Sequence, residues 1–200
     1  MLLKNLIFKD DWFQFPYILI SNLINPKYYK VYGKNVKFAK PLFVKGPENI
    51  SIGNNVTIRS GIRLETIEKC RGRRLSPDLV IGNNVNIEQN CHIICANKLV
   101  IGNGTLISSN VFITDCNHIY KDIKKRVLEQ GLDVKITCIG DNSFIGTGAK
   151  IMAGVNLGKH CIVSAGCIVN NDVPDYSVVA GIPGKVIKYY NKELKKWIRI

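Results

Sequence analysis

The stretch IGDNSFIGTGAKIMAGVNLGKHCIVSAGCIV, residues 139–169, decides the fold. An aliphatic residue returns at every sixth position: Ile139, Ile145, Ile151, Leu157, Val163 and Val169. One face of a helix repeats about every 3.6 residues and one face of a strand every second residue, so neither element explains this spacing. A fixed period that exceeds both indicates a solenoid, in which each repeat is a short strand followed by a turn.

The same spacing continues upstream in three further runs: Ile52, Ile58 and Leu64; Ile81, Ile87 and Ile93; Ile101, Ile107 and Ile113. Glycine often follows the aliphatic residue, where a Cβ would crowd a corner or φ must be unusual. A small or β-branched residue often stands four positions after it. Three such hexads predict one triangular coil of about 18 residues, and successive coils should stack about 4.8 Å apart through backbone hydrogen bonds.

The pattern [LIV]-G-x-x-[STAV]-x resembles the left-handed parallel β-helix acyltransferases. The resemblance covers residues 36–188 and implies an all-β solenoid whose handedness is known only through that likeness. We expect residues 1–35 to form an N-terminal cap segment and residues 189–200 a short C-terminal helix. Loops are expected at 68–79 and 114–138, where the repeat is interrupted.

Two local features support these boundaries. Leu194, Trp197 and Ile198 stand at helical spacing after Asn191, a residue that often caps helices. The step from Ile93 to Ile101 is eight residues, which predicts a bulge of two residues. Long loops that interrupt a rigid scaffold are frequent places for function, so the second interruption is the first place to look for chemistry.

His118 stands at the start of that second loop, five residues after the hexad residue Ile113. An imidazole is suited to remove a hydroxyl proton near neutral pH. The position is similar to that of the catalytic histidine in galactoside, maltose and polysaccharide O-acetyltransferases. The resemblance implies that His118 is the general base and that the acceptor hydroxyl attacks the acetyl-CoA thioester directly, without an acyl-enzyme.

Two further residues are candidates for acceptor binding. The resemblance places an asparagine eleven residues before Ile101, which is Asn90; its alternative role is to stabilise a turn of the solenoid. Asp115 lies three residues before His118 and has three open roles: to orient the imidazole, to contact the sugar, or to cap a turn.

Three motifs point to the cofactor. SFIGTGA and VSAGCIV resemble corner turns that contact coenzyme A in the family, which places Thr147 and Ala165 beside the acyl donor. AGIPGKVIK resembles a C-terminal signature whose cations bind the phosphates, here Lys185 and Lys188. Phe144 stands where the family usually has tryptophan. Asn170 and Asn171 replace the Thr-Lys that often follows, so that contact is not carried over.

The composition indicates which partners and which cellular compartment to expect. The formal net charge of +13 favours an anionic partner, but no recognised nucleic-acid motif accompanies it, so we expect none. Seven scattered cysteines and the absence of a signal-peptide pattern predict a reducing compartment, the cytoplasm. The apolar stretch Trp12–Ile24 is too short to span a bilayer and predicts either a cap or peripheral contact with the inner face of the membrane.

The preferred interpretation is a homotrimeric acetyltransferase that uses acetyl-CoA, needs no metal and acts on a saccharide hydroxyl in surface-polysaccharide biosynthesis. Amino-sugar N-acetylation remains an alternative within the same fold. A γ-class carbonic anhydrase would need three histidines around zinc, but His92, His118 and His160 fall at different positions of the coil. A non-catalytic binding solenoid is the third alternative.

Overall fold

Each hexad forms one short strand followed by a turn, and three hexads complete one coil of a triangular parallel solenoid. The computed structural model describes residues 26–200, so Trp12–Ile24 and the predicted membrane contact lie outside the described residues. The strands within that range are β1 Val31–Tyr32, β2 Lys37–Phe38, β3 Phe43–Lys45, β4 Ile50–Ile52, β5 Thr57–Ile58, β6 Arg63–Thr66, β7 Lys69–Cys70, β8 Arg73–Arg74, β9 Asp78–Ile81, β10 Asn86–Ile87, β11 His92–Cys95, β12 Lys98–Ile101, β13 Leu106–Ile107, β14 Phe112–Thr114, β15 Cys116–His118, β16 Leu132–Val134, β17 Ile136–Ile139, β18 Phe144–Ile145, β19 Lys150–Ile151, β20 Asn156–Leu157, β21 Ile162–Val163, β22 Ile168–Val169, β23 Ser177–Ala180, β24 Lys185–Asn191 and β25 Lys196–Arg199.

Three parallel sheets form the faces of the prism. Face A has the strand order β1-β4-β9-β12-β17-β20, and face C has the order β3-β6-β11-β14-β19-β22. Face B begins with β2-β5-β10-β13-β18-β21 and continues through β23, β24 and β25. The register keeps equivalent hexad residues in line: Ile81 pairs with Ile101, and Ile93 pairs with Ile113.

The core is a continuous column of aliphatic side chains inside the prism. All fifteen hexad residues named from the sequence are at most 1% exposed. The residues four positions later fill the corners behind them, including Val56, Val85, Ala149 and the cysteines Cys91, Cys161 and Cys167. The three cysteines are therefore small core residues, as their positions predict.

The corner between faces A and B explains the glycines that follow the hexad residue. A Cβ on Gly102 would lie 2.6 Å from the backbone nitrogen of Asp141 in the next coil, so close approach rather than φ selects glycine there. Beside it runs a ladder of side-chain acceptors. The backbone N–H of Asn83 donates to Asn103 Oδ1 at 2.8 Å, and that of Asn103 donates to Asp141 Oδ1 at 2.7 Å.

Both interruptions of the repeat leave the prism at the corner between faces C and A. The first is a small antiparallel hairpin, β7–β8, rather than an irregular loop, and face A resumes at Asp78. The second comprises residues 115–135, in which β15 pairs antiparallel with β16 and a short helix, α1 (Val127–Gln130), lies between them. The expected bounds, 68–79 and 114–138, extend into neighbouring strands at both sites because these strands run beyond the hexad.

The expected C-terminal helix is wrong. Residues 185–199 instead form an antiparallel hairpin, in which β24 pairs with β23 on face B and β25 pairs with β24. Asn191 does cap, as its Oδ1 accepts the backbone N–H of Leu194 at 2.8 Å, but it closes the hairpin turn. A segment this short has little helical stability of its own, so pairing with an open sheet edge prevails.

The solenoid also begins earlier than expected. Val31 and Tyr32 pair with Ser51 and Ile52, so the first coil starts at residue 31 rather than 36. Tyr29 is buried against this coil and packs edge-on to Phe38, which closes the end of the core. Among the helices of residues 26–200, none has the length and apolar character that a bilayer crossing requires.

Candidate active site

His118 ends strand β15 and projects from the second excursion, where its side chain is exposed. The backbone around it is fixed by pairing with β16: His118 lies opposite Leu132, and the Ile119 N–H donates to the Gly131 carbonyl at 3.1 Å. Within residues 26–200 no hydrogen bond reaches the imidazole. The ring is therefore positioned by the hairpin, with its nitrogens free to meet a substrate.

Asp115 holds that hairpin against the solenoid. Its carboxylate is fully buried and accepts the backbone N–H groups of Ala96 and Asn97 at 2.7 and 2.8 Å. The prediction that Asp115 contacts the acceptor is wrong, because none of the residue is accessible. Of its three proposed roles, the structure supports turn capping: Asp115 caps the two-residue bulge between Ile93 and Ile101.

His118 lines two clefts on either side of the hairpin. One, of about 400 Å³, lies on face C and is lined by Arg63, Glu65, Phe112, Asn117, His118 and Met152, among others. The other, of about 720 Å³, opens along the excursion beside Tyr120, Lys121 and Lys135. The first cleft exists because the β7–β8 hairpin and the second excursion stand on the same corner and enclose the strand ends between them.

The sequence does not predict two residues of the first cleft, Glu65 and Arg63. Glu65 is 8% exposed and is ion-paired to Arg63 on the same strand, with Arg63 Nε 3.1 Å from Glu65 Oε2. In the sequence both occupy ordinary outward-facing hexad positions. Their burial depends on the excursions folding over them, and the only sequence signal is that both excursions interrupt the repeat at equivalent corners.

Cys116 lies two residues before His118 and lines the same cleft. Burial, with a smaller contribution from the Asp115 charge, raises its pKa to about 11, against the lowering effect of a hydrogen bond from Thr114. Burial likewise raises the pKa of Cys91 to about 11. At neutral pH these groups are thiols rather than thiolates, and the thiolate is the nucleophile. The site is therefore suited to a histidine base and not to an acyl-cysteine.

Asn90, Thr147 and Ala165 share another corner, between faces B and C. Backbone hydrogen bonds link the successive coils there: the Gly148 N–H donates to Ser109 O at 2.9 Å, and the Gly166 N–H donates to Thr147 O at 2.8 Å. Asn90, with φ of +59°, occupies the equivalent left-handed position of a lower coil. Three coil steps of about 4.8 Å place Asn90 about 14 Å from the top of this column.

The two predicted phosphate-binding lysines lie beside the top of the same column. Lys185 pairs with Ala180, which stacks on Ser164 of the coil below, and Lys188 pairs with Val178 further along face B. Both lysine side chains are exposed. Thr147, Ala165 and Lys185 thus lie at one corner of the prism, with Lys188 further along face B.

His118 and the cofactor corner occupy opposite ends of face C. Strand β14 (Phe112–Thr114) runs between the left-handed turn at Asn110 and Asp115 at the other corner, so these two residues lie at most about 16 Å apart. Asn90 lines a second cavity with His92 and Lys150, and Phe112 lines both this cavity and the cleft of His118. Within one chain the predicted base and the predicted cofactor corner therefore lie at opposite ends of face C.

The three histidines fall at separate places, as the sequence predicts. His92 lies on face C, His118 on the excursion, and His160 in a left-handed turn between faces A and B, where its ring packs on Tyr176 at 5.8 Å. Within residues 26–200, no three His, Cys, Asp or Glu side chains converge closely enough to bind a metal ion.

Comparison with known proteins agrees with this architecture. The family model described as bacterial transferase hexapeptide (six repeats) matches residues 139–171. The Escherichia coli K12 protein named putative lipopolysaccharide biosynthesis O-acetyl transferase WbbJ is 31% identical over 84% of this chain and 86% of its own length. The chain belongs to the hexapeptide-repeat acyltransferases. This membership confirms the predicted family and enzyme class, an acetyltransferase.

Two further proteins are similar to the acyltransferase, one in sequence and one in fold. The galactoside O-acetyltransferase of Escherichia coli K12 is 30% identical over 58% of this chain and 57% of its own length. The solved structure of AntD, an N-acyltransferase from Bacillus cereus, superimposes with a TM-score of 0.68 at 18% identity and covers 87% of this chain and 90% of AntD. The fold of the acyltransferase is thus the left-handed parallel β-helix that the resemblance implies.

Proposed function

We propose that the enzyme transfers the acetyl group of acetyl-CoA to a hydroxyl of a saccharide during the synthesis of a surface polysaccharide in the cytoplasm. The observation that carries this proposal is the exposed imidazole of His118, held by a paired hairpin at the mouth of two clefts. WbbJ, which matches most of the chain, is named for O-acetyl transfer in lipopolysaccharide biosynthesis. The galactoside O-acetyltransferase is named for the same chemistry on a sugar.

The reaction needs one base and no covalent enzyme intermediate. The neutral imidazole of His118 removes the proton from the acceptor hydroxyl as the oxygen attacks the thioester carbonyl. The tetrahedral oxyanion then collapses, the carbon–sulfur bond breaks, and the imidazolium returns its proton to the departing sulfur. The raised pKa of Cys116, which partial burial causes and which keeps it a thiol at neutral pH, supports direct transfer over a route through an acyl-cysteine.

The donor is proposed to lie along the corner of Thr147 and Ala165. Glycines follow both residues with φ of +70° and +68°, a conformation that exposes backbone groups to a ligand and places no side chain there. Lys185 and Lys188 supply cations for the phosphates, which gain charge-assisted hydrogen bonds. Backbone amides of this corner, with Asn90 lower in the column, are proposed to hold the acceptor and the oxyanion.

The proposal adds a second chain to the site. Since His118 and the cofactor corner lie at opposite ends of face C within one chain, the corner that serves His118 is proposed to belong to a neighbour. A ring in which each chain gives His118 to one neighbour and its corner to the other closes naturally as a homotrimer of three-sided prisms. The site is then repeated at each of the three interfaces.

The test supplies acetyl-CoA with a panel of neutral sugars, amino sugars and nucleotide-linked sugars and follows thiol release. His118→Ala should lower kcat by about 10²–10⁴, the contribution of a general base, and leave the KM for acetyl-CoA unchanged. His160→Asn is the matched control, because asparagine tolerates the left-handed turn that His160 occupies. Equal kcat in His118→Ala and wild type contradicts the proposal, and preferential N-acetylation of amino sugars redirects it to nitrogen acceptors.

A further inference from the structure

Glu65 is a carboxylate buried on an outward-facing position of the solenoid. It lies on β6 beside the inward-facing Leu64, and its side chain is 10% exposed, although the faces of such a prism normally meet solvent. The equivalent positions in the next two coils are Ile94 and Thr114, neither of which carries charge. The equivalent position in the coil below is Lys45, so the column carries Lys45 and Glu65 in its first two coils and uncharged side chains in the next two.

The contacts of Glu65 leave part of its carboxylate open. Arg63 donates to Oε2 through both Nε, at 3.1 Å, and Nη2. Oε1 has one long contact of 3.4 Å with Lys45, whose side chain is 55% exposed. An ionised carboxylate accepts about four hydrogen bonds, so Oε1 of Glu65, a residue that lines the cleft, retains acceptor capacity.

The stability of the fold does not explain why the chain has the Arg63–Glu65 pair. The Arg63 side chain stays 39% exposed, so solvent screens its attraction to Glu65, and that attraction about offsets the cost of burying the carboxylate. Ile94, one coil above, shows that an aliphatic side chain fits the column. A fixed carboxylate in the cleft of the catalytic histidine is instead typical of a group that recognises polar atoms of a ligand.

We propose that Glu65, oriented by Arg63, determines acceptor specificity by accepting hydrogen bonds from hydroxyls of the sugar ring that are not acetylated. The aromatic ring of Phe112, which lines the same cleft, packs against the apolar side of the sugar. The hydroxyl to be acetylated then faces His118 at the edge of the cleft. This inference rests on the proposed function and adds the chemical class of the acceptor, a pyranoside with free hydroxyls next to the reacting one.

The test is a thermodynamic cycle that changes one protein group, the Glu65 carboxylate, and one ligand group, a hydroxyl of the sugar. Methyl glucoside, methyl galactoside and methyl mannoside are compared with their monodeoxy derivatives, and kcat/KM is measured for wild type and Glu65→Gln. In the wild type, loss of the hydroxyl that meets Glu65 should lower kcat/KM about tenfold to hundredfold, as for hydrogen bonds to charged groups. In Glu65→Gln this discrimination should fall about tenfold through the acceptor KM, with the KM for acetyl-CoA unchanged.

Controls separate recognition from structure. Lys45→Met removes the other cation at Glu65, leaves the Arg63 pair, and should keep the wild-type discrimination. If Glu65→Gln does not fold, Glu65→Asp retains the charge but withdraws it, and should lose discrimination in the same direction. The inference is overturned if folded Glu65→Gln or folded Glu65→Asp discriminates between the sugars as the wild type does. It is also overturned if neither Glu65 variant folds. A wild-type enzyme that acetylates no glycoside contradicts the proposed function as well.

Discussion

Replacing Asp115 by alanine should destabilise the enzyme and inactivate it together. The carboxylate accepts the N–H groups of Ala96 and Asn97 at 2.7 and 2.8 Å in a fully buried position. Alanine leaves two backbone donors unpaired, and each such loss costs about 1–3 kcal/mol, so the expected destabilisation is about 2–6 kcal/mol. Since Asp115 also begins the excursion that carries His118, kcat should fall by at least about tenfold, the range for a misplaced general base.

The assay is the denaturant midpoint at a fixed chain concentration, followed by circular dichroism, together with amide exchange at Ala96 and Asn97. Asp115→Asn keeps one acceptor oxygen and should cost about half as much as Asp115→Ala. Asp133→Asn is the matched control: it is an exposed carboxylate on the same excursion and should shift the stability by less than about 0.5 kcal/mol. An Asp115→Ala protein with unchanged midpoint and unchanged amide protection would refute the anchoring role.

Three further predictions follow from the corners and the cleft. Cys116→Ser should keep kcat within about twofold, and alkylation of Cys116, followed by mass spectrometry, should accelerate with pH up to about pH 11, since its pKa is raised to about 11 by burial. Lys185→Gln should raise the KM for acetyl-CoA about tenfold through loss of a charge-assisted contact, while Lys196→Gln on β25 should not change it. Gly102→Ala should lower the thermal midpoint, because its Cβ would lie 2.6 Å from the backbone nitrogen of Asp141; an unchanged midpoint contradicts the close approach of these coils.

The solenoid is readable from the sequence because each hexad makes the same contacts with the coils above and below it. The aliphatic period is a direct consequence of one side chain per strand that points inward, as Ile101, Ile107 and Ile113 do. The corner residues are readable for the same reason. Thr147 and Ala165 lie in one column because their hexads occupy equivalent positions of successive coils.

The C-terminal segment is not readable from its own spacing, because its conformation depends on the edge of the sheet that precedes it. Leu194, Trp197 and Ile198 have helical spacing, but β23 presents an open edge that the hairpin covers. The spacing of apolar residues within the segment carries no information about the open edge of β23. The same limitation applies to Asp115, whose burial depends on the bulge formed by Ala96 about twenty residues earlier.

The cleft is the least readable part of the candidate site. Glu65 and His118 are separated by 53 positions, and they share a cleft only because two excursions leave the same corner of the prism in different coils. The six-residue repeat does not predict which residues of the two excursions meet, because the excursions interrupt the repeat. The separation of His118 from the cofactor corner within one chain likewise becomes visible only when face C is built.

A mixed-chain complementation assay tests most directly whether each site joins His118 of one chain to the cofactor corner of the next. His118→Ala is inactive as a base, and Ala165→Glu places a carboxylate where the donor is proposed to lie. Co-refolded in equal amounts, the two variants should recover about a quarter of wild-type activity, because about one interface in four of a cyclic trimer then pairs two intact halves. Mixtures no more active than either variant alone would contradict a site shared between chains.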